Sequence, residues 1–155
     1  MKYSNRVIEY KKEQYGRRNY MSDKIVYYSL YGNSKLLAEC LQEKNNSSIL
    51  RLLQDKERKG VVGFIKRGAQ SSMKKKVHLL EDPWSQILDD KKIYLVFPIN
   101  AGNIAPAMRS FIIDANFEGK EIIGVSLQAD PEAGAKIEED FNELVKNAKG
   151  TVIPT

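Results

Sequence analysis

Cysteine is nearly missing from this chain of 155 residues: Cys40 is the only one. A lone thiol excludes an internal disulfide framework. With a single histidine, His78, it also leaves no Cys/His set for a structural metal. No apolar run approaches the length of a membrane span, and the first residues carry charge without the apolar centre of a secretory signal. These absences point to the cytoplasm and away from a membrane. The fingerprints G-x-x-x-x-G-K-[ST] and G-x-G-x-x-G are missing too, which removes the usual ATP and dinucleotide sites. His78 sits beside three lysines and reads as a solvated surface group, not as a catalytic base.

What is present is enough apolar material, 42%, for one domain with a buried core. The net charge of +5 is unevenly placed: residues 1–20 hold six basic and two acidic groups, residues 51–78 nine and two, residues 79–155 seven and thirteen. Such polarity suggests nucleic acid, but no helix-turn-helix, zinc or aromatic RNA-binding pattern accompanies it. The Lys74-Lys75-Lys76 run therefore reads as a solvated face, and no nucleic-acid partner is expected.

The most informative stretch is Ser29-Leu30-Tyr31-Gly32-Asn33-Ser34-Lys35. Ile25-Val26-Tyr27-Tyr28 before it reads as a buried strand, and Leu36, Leu37, Cys40 and Leu41 after it share one helical face. Cys40 is thus expected as a packed core thiol. A strand that turns through Gly32 into a helix places hydroxyls, an amide and free N–H groups together, suited to a phosphate monoester.

The rest of the chain repeats that rhythm. Ile49 to Leu53 reads as a second strand, Ile93 to Phe97 as a third, Ile122 to Leu127 as a fourth, and Thr151 to Ile153 as a fifth. Between the second and third, a helix is expected around Val61 to Ala69, then a short one over Trp84, Ile87 and Leu88. Pro106 heads a helix containing Phe111, and Pro131 heads one with Ile137, Phe141, Leu144, Val145 and Ala148 inward, ended by Gly150. Strands alternating with helices imply an α/β domain with a parallel sheet and right-handed crossovers. Residues 1–23 read as an extension, with a short helix through Val7, Ile8 and Tyr10, ahead of a domain spanning 24–155.

Ser29, Gly32, Asn33 and Ser34, together with Pro98, Pro106 and Phe111, resemble the motifs of the flavodoxin-like family over roughly residues 24 to 154. The resemblance implies a single doubly wound five-stranded sheet of order 2-1-3-4-5 that binds FMN. The phosphate would rest on Ser29, Leu30, Tyr31, Gly32, Asn33 and Ser34. The ring would lie between Pro98, Ile99, Asn100, Ala101, Gly102 and Asn103 on one side and Ser126 and Gln128 on the other, with Asp130 near. Tyr31 stands where that family has a small hydroxyl residue, and Asn100 where it has a stacking aromatic.

A response regulator is excluded because the third strand ends in Pro98 rather than an aspartate. A small tyrosine phosphatase is excluded because the first turn lacks both Cys and Arg. The implied function is a redox protein that passes electrons to a partner protein or reduces a small acceptor such as a quinone. The alternative is a flavin-free binding module with a degenerate site. No helix pattern follows the fifth strand, where the family has one. The sequence therefore leads us to expect Val7 and Ile8 over the sheet face left bare, or a homodimer there.

Overall fold

Ile25, Val26 and Tyr27 are all buried, and a strand apolar on both faces belongs in the middle of a parallel sheet. The computed structural model, which describes residues 23–55, 75–128 and 134–154, places it there. The elements are β1 (Lys24–Tyr27), α1 (Asn33–Asn45), β2 (Ser48–Arg51), a 3-10 turn (Ser85–Ile87), β3 (Lys92–Asn100) and β4 (Asn103–Ile104). They continue with α2 (Pro106–Asp114), β5 (Glu121–Leu127), α3 (Gly134–Asn147) and β6 (Thr151–Val152). The sheet order is β2-β1-β3-β5-β6, parallel throughout, with β4 antiparallel to the end of β3. This is the expected 2-1-3-4-5 arrangement with one extra hairpin strand. The expected helix around 61–69 and the extension 1–22 lie outside the described residues.

Alternation along the strands builds two cores. Val26, Leu95, Phe97 and Ile122 face α2 and α3, whose Met108, Phe111, Phe141 and Val145 join them in the larger core. Ile25, Tyr27 and Val96 face the other way, toward Ala38 of α1, with Leu37 and Leu41 half-buried beside it. Phe97 and Phe141 stack with centroids 5.8 Å apart, tying the centre of the sheet to α3.

Three local expectations are corrected. Cys40 is exposed, and so is Leu36. The inward arc of α1 runs through Ser34 and Ala38, small residues that let the helix sit close to the sheet, with Leu37 and Leu41 half-buried at its edge and Leu36 and Cys40 outside it. Leu88 is likewise exposed, while Ile87 is buried and Trp84 donates its indole N–H to the Phe111 carbonyl at 3.0 Å. The short helix expected over Trp84 to Leu88 is only the 3-10 turn, joined to α2 by the Trp84–Phe111 hydrogen bond and ring stack. Finally, the left-handed residue closing α3 is Lys149 (φ 65), not Gly150. Gly150 is needed for another reason: a Cβ there would lie 2.8 Å from Val145 Cγ1 and 2.9 Å from Phe117 Cβ.

Candidate functional site

The site forms where β1 stops and its neighbours continue. Tyr28 N–H donates to the Val96 carbonyl at 3.0 Å, the last bond between β1 and β3, and the chain then turns at Ser29. Pro98 lies two residues beyond Val96, so its nitrogen faces the same neighbour. A residue with no N–H there leaves no donor stranded where β1 has already departed.

The turn itself is closed by Gly32, whose N–H donates to Ser29 Oγ at 3.0 Å. Gly32 is the N-cap of α1 with φ 102 and ψ −18, a left-handed conformation open to glycine and costly to other residues. It offers no side chain to cap the helix. The first intrahelical bond runs from Leu36 N–H to the Gly32 carbonyl at 2.9 Å. The N–H groups of Asn33, Ser34 and Lys35 therefore have no intrahelical acceptor. A Cβ built on Gly32 would meet nothing within 4 Å, so the chain is open to solvent at Gly32. Ser34 is 2% exposed, whereas Tyr31 is 65% exposed and Leu30 half-buried. Capless N–H groups, two hydroxyls and open space match what a phosphate monoester requires.

Beside the turn, the third strand does not end at Pro98 as expected, and residues 98–103 form the tip of a hairpin. β3 continues to Asn100, pairs Ile99 with Ile104 and Asn100 with Asn103, and reverses over Ala101 and Gly102. Both tip residues have positive φ, 48 and 66, as a two-residue turn matched to strand twist demands. Asn103, itself buried, donates its amide N–H to the Ala101 carbonyl at 2.9 Å. The Asn-Ala-Gly-Asn sequence is the signal for this hairpin, and ending the third strand at Pro98 missed it.

On the far side, Ser126 pairs with Phe97 and Leu127 with Pro98, which brings Ser126 and Gln128, both exposed, alongside the hairpin. All three segments thus leave the sheet at the carboxyl ends of β1, β3 and β5, at the point where strand order reverses. Asp130 lies outside the described residues. Among the described residues no group of three or more His, Cys, Asp or Glu side chains is placed to hold a metal ion. No helix among them is long and apolar enough to cross a membrane.

No protein-family model matches the sequence, and no curated protein matches it significantly. Solved structures do match in shape. A flavoprotein from Lactobacillus acidophilus NCFM, solved in complex with FMN, superposes with a TM-score of 0.68 at 17% identity, covering 86% of this chain and 90% of that one. A candidate flavoprotein from Bacteroides uniformis ATCC 8492 gives 0.70 at 15% identity, with coverage of 86% and 90%. Another, from Bacteroides eggerthii DSM 20697, gives 0.71 at 12% identity, covering 84% and 85%. At such identities the likeness speaks for architecture, and with the sheet order and crossovers described above it establishes that this chain has the flavodoxin-like fold.

Proposed function

We propose that this chain binds FMN at the turn of residues 29–34 and acts in electron transfer, as a carrier or by reducing a small acceptor such as a quinone. The observation that carries this reading is the capless start of α1 beside the end of β1. There three backbone N–H groups have no intrahelical acceptor, Ser29 and Ser34 lie buried beside them, and a Cβ on Gly32 would meet nothing within 4 Å. The FMN complex of a protein with the same fold supports it.

In this reading the turn holds the phosphate, and a dianion at the helix start gains about 0.3–1 kcal/mol from the dipole besides its hydrogen bonds. The 98–103 hairpin and the 126–128 segment flank the isoalloxazine ring. The bound flavin supplies the redox chemistry, and the protein contributes position and polarity around it. Backbone groups of a hairpin with both tip residues locked at positive φ present fixed donors and acceptors, which bias the flavin potential without taking part in bond changes. Titration of the protein into FMN, read by quenching of flavin fluorescence, tests the assignment.

One observation favours a second reading, a flavin-free binding module. Tyr31 is 65% exposed at the phosphate turn, and the hairpin carries Asn100 rather than an aromatic side chain for the ring. That reading predicts colourless protein and unquenched FMN.

A further inference from the structure

β6 lies beside β5 only at Glu121 and Ile122, although β5 runs on to Leu127. Glu121 N–H donates to the Lys91 carbonyl at 2.7 Å, so the odd-numbered residues of β5 bond toward β3. Thr151 and Ile153 donate their N–H groups to the carbonyls of Lys120 and Ile122, so the even-numbered ones bond toward β6. Next in that series come Gly124 and Ser126, and no described strand lies beside them. An edge left bare in water is normally blunted by lysine or proline, and Ile123-Gly124-Val125-Ser126-Leu127 holds neither. A cavity of about 340 Å³ opens against this edge, with Phe97, Ile137, Phe141 and Ile153 as apolar walls. Gly124 has no side chain to fill it, and a Cβ there would lie 2.8 Å from the Phe141 ring. Glu138 is the one charged group among the described lining residues, and an adjoining hollow on α3 adds Glu139 and Glu143 against Lys146. The cavity shares Ser126 with the site described above and none of that site's other residues.

We propose that the edge of β5 at Gly124 and Ser126 accepts an extended segment of a partner polypeptide as an added strand, one that alternates apolar and basic side chains. The Gly124 carbonyl and the Ser126 N–H pair with its backbone, which supplies affinity without regard to sequence. Side chains point alternately to the two faces of a strand, so every second one enters the cavity. There a lysine or arginine lays its aliphatic stem along the apolar walls and brings its charge to Glu138. The intervening apolar residues reach the opposite face, where Val125 and Leu127 are only partly buried, and cover them. The proposal does not rest on flavin binding.

The test titrates an acetylated and amidated Val-Lys-Val-Lys-Val peptide into the isotope-labelled full-length protein and follows its backbone amides by NMR. The expected result is saturable shifts at Gly124, Ser126 and Ile153, with solvent exchange of the Ser126 amide slowed at saturation. Glu138 is exposed, so Glu138→Gln leaves the fold intact and is expected to weaken binding about two- to fivefold. No saturation at millimolar peptide would overturn the proposal. Equal binding of a Val-Glu-Val-Glu-Val peptide, or an affinity that Glu138→Gln leaves unchanged, would overturn the basic partner. Shifts at the same amides that appear on concentrating the protein without peptide would assign the edge to a second copy and overturn the proposal too.

Discussion

Ser29 and Ser34 occupy equivalent chemistry but different positions. Ser29 accepts the Gly32 N–H, which shapes the turn, and retains its own proton for an anion. Ser34 is buried in the first turn of α1. A hydrogen bond to a charged group contributes about 1.5–3 kcal/mol. Each of Ser29→Ala and Ser34→Ala is therefore expected to weaken FMN binding by about tenfold or more, measured by fluorescence titration. Ser29→Ala should also lower thermal stability, because the Gly32 N–H loses its acceptor. Cys40 makes a simpler point. It lies outside the arc set by Ser34 and Ala38, so a disulfide thiol reagent is expected to label it fully in the native protein without denaturant. Labelling that waits for denaturant would contradict that placement.

At the scale of elements, the sheet was legible because buried parallel strands leave uninterrupted apolar runs, as in Ile25 to Tyr28 and Ile93 to Phe97. The strand-to-helix turn at Ser29 to Ser34 was legible for a related reason: only a strand that stops short of its neighbours needs a glycine and small polar groups there. The inward face of α1 was not. Counting large apolar residues selects Leu36 and Cys40, whereas close packing selects the small Ser34 and Ala38. The β3–β4 hairpin was missed because Pro98 suggests a strand end, although its missing N–H costs nothing where β1 has already turned away. Gly150 was read correctly as an end marker and for the wrong cause. Since a Cβ there meets Val145 and Phe117 below 3.0 Å, Gly150→Ala is expected to destabilise the fold by about 1–3 kcal/mol in chemical denaturation. A loss of a few tenths would show that α3 and the segment at Phe117 shift apart freely.

For the whole molecule, the proposed redox function leaves the choice of carrier or enzyme. Residues 79–155 carry thirteen acidic against seven basic groups, whereas the chain from Met21 onward is near neutral. In the proposed carrier role, steering toward a basic redox partner would rest on these acidic groups and weaken with added salt. We expect electron uptake from a reductase to slow as ionic strength rises, and turnover of a quinone with NADH or NADPH alone to be slight; robust turnover would favour the enzyme. The central claim is that the capless turn at Gly32 holds a flavin phosphate beside the 98–103 hairpin, and one titration addresses it directly. Purified protein added to FMN is expected to quench flavin fluorescence to saturation at one flavin per chain, with Ser34→Ala shifting the midpoint to higher protein concentration. Fluorescence that stays unchanged across the titration, with protein that remains colourless, would contradict it.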